Sequence, residues 1–202
     1  HEILWIGVFA VGRKRQAAER REDILTALEQ CILERGIEGT SFQHIAQVLG
    51  MDRKMISHYF GNREALVDAV TQRIDNGFNS RMNEALANLG QSASIIELLE
   101  TFYDQDESNE ETEILWAEIT AYATRSEAVR DRLRQSYDKM LWSIGEALKR
   151  DYPNVPKKRF QAAVYTIAIL LERSSMFEWL GVKGASVKSV KAAIEKVLES
   201  LE

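Results

Sequence analysis

Only two prolines (Pro153 and Pro156) and 11 glycines occur in 202 residues. Turn-forming residues are therefore scarce, which disfavours a β-rich fold with many tight connections and favours long helices. A single cysteine, Cys31, excludes a disulfide framework and any multi-cysteine metal site. It suits a reducing, cytoplasmic compartment. Three histidines (His1, His44 and His58) leave too few ligands for a histidine-based metal centre. Long apolar runs are missing too. The most apolar stretches, Ile3–Val11 and Ala162–Leu171, fall well short of the ~20 residues a membrane-spanning helix needs, so no membrane partner is expected. No basic segment precedes Ile3–Val11, so it reads as a cloning remnant or a short segment packed against a neighbour rather than a signal peptide. The sequence has no phosphate-binding Walker loop, no GxSxG, no HExxH and no Glu-x-x-His pair. Neither catalysis nor a cofactor is expected.

Apolar residues make up 45% of the chain and charged residues 28%, a balance that supports a folded core. The net charge of −5 argues against a protein that coats nucleic acid by bulk positive charge, but the charge is uneven. Val11–Arg63 holds nine Lys/Arg against seven Asp/Glu, a net of +2, which leaves −7 for the rest of the chain. A mildly positive N-terminal quarter on an acidic body permits local phosphate contacts.

Apolar periodicity and capping residues predict an all-α fold of about nine helices. Arg21–Arg35 places Ile24, Leu28, Cys31 and Ile32 on one face and ends at Gly36. Cys31 accordingly reads as core packing. Thr40-Ser41-Phe42-Gln43 predicts a capping box that opens a short helix ending at Gly50. Asp52 is placed to cap a second short helix through Phe60, and Asn62 to cap a long one that reaches Leu89. Ser94-Ile95-Ile96-Glu97 is another capping box. Asp104–Glu113 is strongly acidic and reads as a solvated loop. Four more helices are predicted over roughly Glu113–Thr124, Glu127–Asp151, Pro156–Leu180 and Ser186–Leu201.

Thr40–Phe60 contains two short amphipathic helices joined through Gly50, the proportions of a helix-turn-helix. A glycine there permits a sharp turn with φ > 0 at no Cβ cost. The outward positions of the second helix are Arg53, Lys54, Ser57 and His58, all hydrogen-bond donors, and its single acid is the cap Asp52. A helix of this width fits the ~12 Å major groove of DNA. Pattern alone leaves an ordinary helical hairpin as the alternative.

At these residues the sequence resembles the TetR family of bacterial transcriptional repressors. The matching string is Thr40, Ile45-Ala46, Gly50-Met51-Asp52, Ser57-His58-Tyr59-Phe60, then Arg63 and Leu66. The resemblance is specific over about Arg21–Val70 and rests on helix number and length beyond it. It differs from the family pattern at two positions. Ser57 stands where the family commonly has a tyrosine that touches the DNA backbone, and Arg63 replaces a usual lysine. The resemblance implies phosphate contacts from Thr40, Tyr59 and Arg63, and base reading by Arg53, Lys54 and His58; Ser57 is also a candidate DNA-binding residue, with the tyrosine's backbone contact shortened or lost there. Met55 is either a thymine-methyl contact or packing. Arg13, Lys14 and Arg15 resemble a flexible arm for added DNA contacts, with a solvated basic tail as the alternative. The organisation expected is an N-terminal extension and arm (1–15), a DNA-binding domain (16–68), and a ligand-binding and dimerisation domain (69–202).

The predicted helix over 156–180 is apolar nearly all round, and that over 186–201 carries a stripe from Val187 to Leu201. Such faces need cover, and a second copy of the chain is the natural one. The resemblance likewise implies a homodimer through 156–180 and 186–201 on a palindromic double-stranded DNA operator, released by a small-molecule effector. Trp116, Glu118, Tyr122, Tyr137 and Met140 are the candidate effector contacts. Glu118 is a carboxylate inside an apolar run, and it orients a ligand, is neutralised by an arginine such as Arg125, or sits at an exposed edge. A second functional reading remains: a TetR-like helical protein that binds an apolar ligand or lipid without binding an operator.

Overall fold

A computed structural model of the chain describes residues 3–89, 94–97, 110–184 and 186–202. Eight helices have defined bounds: α1 (Ile3–Gly39), α2 (Phe42–Leu49), α3 (Arg53–Phe60), α4 (Arg63–Leu89), α5 (Glu110–Ala123), α6 (Glu127–Asp151), α7 (Lys157–Trp179) and α8 (Val187–Glu199). Residues 95–97 are helical as well. There Ser94 and Glu97 exchange the bonds of a capping box, Ser94 N–H to Glu97 Oε2 at 2.8 Å and Glu97 N–H to Ser94 Oγ at 3.3 Å. The remainder of the helix predicted to start there lies outside the described residues. Among the described residues there is no strand, and the fold is all-α. No helix among them is long and apolar enough to cross a membrane.

Three expectations change. First, α1 is helical from Ile3, so Arg15 sits inside a helix and pairs with Glu19 at 2.9 Å rather than lying in a flexible arm. Second, Glu110–Glu113 belongs to α5 rather than to a loop. Glu110, Glu111 and Glu113 occupy its first turn, where the helix dipole favours negative charge. Third, the cap of α2 is Ser41, whose Oγ accepts from His44 N–H at 3.3 Å. Thr40 turns inward instead, and the box with Gln43 does not form.

The chain divides into two compact units: His1–Arg73 with Ala117–Arg130, and Ile74–Trp116 with Asp131–Glu202. The boundaries fall inside α4, α5 and α6, so each of these helices contributes to both units. In the first unit Ile24, Leu28, Ile32, Ile45, Ile56, Leu66 and Val70 are buried, together with Ile119 and Val129 from 117–130. Cys31 is 1% exposed and packs in this core, as its apolar position predicts. In the second unit, Ala163, Val164, Ile167 and Ala168 of α7 pack with Ile194 and Leu198 of α8, with Leu201, and with Ile144 and Leu148 of α6. The stripe of α8 is therefore largely consumed within one copy of the chain. Most of its other face, Lys188, Ser189, Ala192, Glu195 and Lys196, is exposed and mainly polar.

Candidate nucleic-acid interface

The sequence pattern shapes α2 and α3 locally before any tertiary contact is considered. Gly50 adopts φ 61°, ψ 33° and ends α2, with its N–H on Gln47 O and the next N–H, that of Met51, on Ala46 O at 2.9 Å. That left-handed conformation strains an L side chain, which accounts for glycine at this point. Asp52 then starts α3, its Oδ1 accepting from Lys54 N–H at 2.7 Å. The only acid of the segment is thus spent on the backbone. Asn62 Oδ1 likewise accepts from Ala65 N–H at 2.8 Å and starts α4.

Burial sorts the residues of α3. Ile56 and Phe60 point into the core at 0% and 6% exposure, while Arg53, Lys54, Met55 and His58 are exposed and Ser57 and Tyr59 half-buried. Met55 is 41% exposed, so it faces outward rather than packing. His58 and Tyr59 meet edge to face with ring centroids 5.5 Å apart. Beside this surface lies a cleft of about 540 Å³, lined among others by Ser41 and Gln43 of the α2 start, Arg53 and Ser57 of α3, and Asn62 and Arg63 of the α4 start. Two helix N-termini, which carry partial positive charge, and two guanidinium groups therefore border one concavity, an arrangement suited to a phosphate.

Two of the predicted phosphate ligands serve the interior. Thr40 is 5% exposed and its hydroxyl donates to Gly36 O at 2.8 Å. The Arg63 guanidinium donates to Thr40 O at 2.6 Å and to Ile37 O, with Glu38 3.6 Å away. Arg63 thus ties the start of α4 to the 37–40 segment that leads into α2. Pattern reading missed Arg21, which donates to Tyr59 O near the C-terminus of α3 and lies over the Phe60 ring. Nothing local in the sequence separates Arg21 from its solvated neighbours Arg20 and Glu22.

The family model for bacterial regulatory proteins of the tetR family matches residues 24–70, which span most of α1 beyond the arm, α2, α3 and the first turns of α4. The HTH-type transcriptional regulator PksA of Bacillus subtilis (strain 168) is 30% identical over 115 residues, 56% of this chain and 56% of that protein. Residues 24–70 are thus similar to the tetR family of bacterial regulatory proteins. Solved structures of transcriptional regulators extend the likeness of fold over nearly the whole length. A TetR transcription regulator from Haloarcula marismortui covers 91% of this chain and 98% of its own at 13% identity and TM-score 0.75. A transcriptional regulator from Rhodococcus sp. Rha1 covers 90% and 95% at 12% identity and TM-score 0.71. The match to PksA spans only about half of that curated relative's length.

The five candidate effector contacts do not share one compact unit. Glu118 and Tyr122 belong to the first unit, and Trp116, Tyr137 and Met140 to the second. Glu118 Oε2 accepts from Ile37 N–H at 2.8 Å, and Arg125 pairs with Glu38 rather than with Glu118. The Arg125 guanidinium also stacks on Tyr122, 5.7 Å from its ring centroid. Tyr137 donates its hydroxyl to Glu172 Oε1 at 2.9 Å. Burial, reinforced by the Glu172 charge, pushes its phenol well above the ordinary tyrosine range. Met140 packs half-buried against the second unit's core, and Trp116 is half-buried.

Proposed function

We propose that this protein is a transcriptional regulator, acting as a repressor, that binds a palindromic operator as a homodimer through α2 and α3. The observation that carries this reading is the outward face of α3, where Arg53, Lys54, Met55 and His58 stand exposed beside a cleft bordered by two helix N-termini. Arg53, Lys54 and His58 read base edges and Met55 meets a thymine methyl. Tyr59 and Ser57 set the register on phosphates, and Arg63 adds charge to the cleft while holding the head together from within.

A second copy covers α7, whose Tyr165, Ile169 and Phe177 are 61%, 46% and 51% exposed. Two-fold pairing then presents two reading helices about one DNA turn, ~34 Å, apart. Residues 16–68 read DNA, and 69–202 dimerise and sense. A small molecule with a cationic or hydrogen-bonding group is held near Tyr137, Met140 and Trp116, where the phenol and the Glu172 carboxylate supply polar partners. It prefers the DNA-incompetent arrangement, as release requires.

Selection of duplexes from a random pool, followed by fluorescence anisotropy, tests the reading. Expected is a palindromic consensus and an affinity that falls with salt at a slope near 0.9 per phosphate contacted. Absence of any selected sequence, or salt-independent binding, removes it. Ser57 in place of the family's backbone-touching tyrosine favours the second reading, a ligand- or lipid-binding TetR-like protein without an operator, and that same negative result supports it.

A further inference from the structure

The segment that enters α2 is clamped from two sides. Gly36 interrupts α1 with φ 70°, ψ 167°, so the Ile37 N–H turns away from the helix ladder. That residue is 2% exposed, and its N–H is met by the Glu118 carboxylate at 2.8 Å. The carbonyl of the same residue accepts from Arg63. One buried residue is thus held by an anion on its N–H and a cation on its C=O. Arg63 reaches on to Thr40 O, and the Thr40 hydroxyl returns to Gly36 O, so residues 36–40 are closed in a ring of bonds that ends at the Ser41 cap. Glu118 sits directly over the break, since a Cβ on Gly36 would lie 3.0 Å from its Oε2. Two further bonds join the 117–130 segment to the head: Arg125 to Glu38, and Ser126 Oγ to Glu64 Oε1 at 2.8 Å.

We propose that Glu118 is a positioning residue for the DNA-reading head: its carboxylate fixes the 36–40 segment and through it the placement of α2 and α3. This rests on the DNA-reading role argued above. In this role Glu118 acts through the Ile37 backbone rather than by touching DNA. The other contacts of 117–130 hold the segment against the head, while Glu118 alone among them bonds the backbone at the break.

Simple electrostatics and the clamp predict opposite signs. Removing an acid near a DNA-binding surface through space strengthens DNA binding, whereas loss of the clamp weakens it. The experiment measures the full-length wild type, Glu118→Ala and Glu118→Gln against the duplex that the wild type selects, with amide hydrogen exchange on each. Expected is a loss of about tenfold for Glu118→Ala, a typical magnitude of coupling between sites. Glu118→Gln, which keeps an oxygen that accepts from Ile37, is closer to wild type. The slope of affinity against salt is unchanged in both, because no phosphate-neutralising cation is lost. Ile37 exchanges faster in Glu118→Ala while Val70 keeps its protection, which separates a local release from unfolding. Equal or tighter DNA binding by Glu118→Ala overturns the proposal, as does unchanged exchange at Ile37 or a Val70 amide that loses protection in step with it. A wild type that selects no duplex removes the DNA reading itself, and the positioning role with it.

Discussion

The guanidinium carbon of Arg21 lies 4.2 Å from the centroid of the Phe60 ring, and the same group donates to the carbonyl of Tyr59. A residue of α1 thereby holds both the last core side chain of α3 and a backbone carbonyl near that helix's C-terminus. The positive charge also complements the negative end of the α3 dipole. Arg21→Ala is expected to destabilise the head by about 1–2 kcal/mol, the combined magnitude of a cation–π contact and a charged hydrogen bond at a partly exposed site. Chemical denaturation checks this. Arg21→Lys recovers less than half of the loss, because an ammonium stacks less well and cannot fork between two partners.

Arg53 and Arg63 both border the cleft, but their bonds differ. Arg53 is exposed at the start of α3, whereas Arg63 is committed to the carbonyls of Ile37 and Thr40. Arg53→Ala is expected to relax sequence preference by about 1–3 kcal/mol at one base pair with little change in stability. Arg63→Ala lowers stability and weakens all duplexes alike. Competition binding with consensus and scrambled duplexes, paired with melting curves, distinguishes the two. The opposite assignment holds if Arg63→Ala changes the consensus.

The exposed apolar positions of α7 give a direct test of self-association. Ile169→Glu, at a site 46% exposed, is tolerated in a single copy and is expected to abolish pairing. Light scattering at micromolar concentration then shows a dimer for the wild type and a monomer for the variant. A monomeric wild type removes the dimer.

Tyr137 provides a pH test. Its phenol is held above the ordinary value of 10.0 by burial first and by the Glu172 charge second. A pKa raised on folding means that the neutral phenol is favoured in the native state. Its contribution is complete below about pH 10 and is lost as the pH rises beyond that value. The melting temperature of the wild type should therefore fall above pH 10 more steeply than that of Tyr137→Phe, which has no proton to lose. Parallel curves contradict the assignment.

Cys31 is 1% exposed, and burial raises its thiol pKa, with Glu34 adding to the effect. Slow modification by a thiol reagent is expected in the native protein and rapid modification in denaturant. Fast native labelling sinks the reading of Cys31 as core.

Much of this protein is legible from its sequence, because the signals involved are local. Asp52, Asn62 and the Ser94–Glu97 pair cap the helices they precede through bonds that span only two or three residues. Gly50 turns the chain where a left-handed conformation is required. The sorting of α3 into a buried Ile56 and Phe60 and an exposed basic face follows from helical period alone. Even so, Ser41 displaces Thr40 as a cap by one residue, because Thr40 is drawn inward to the Gly36 carbonyl. Glu118, Arg63 and Arg21 were decided elsewhere. Each makes its defining bond to a residue between 23 and 81 positions away, to Ile37, Thr40 or Tyr59. A charge inside an apolar run signals that some partner is needed, but backbone carbonyls and amides occur at every position and leave no mark in the sequence. Local capping, period and charge determined the helices and the exposed basic face of α3. Only the tertiary structure decided which charged residues face outward to a ligand and which are spent holding the backbone of 36–40 in place.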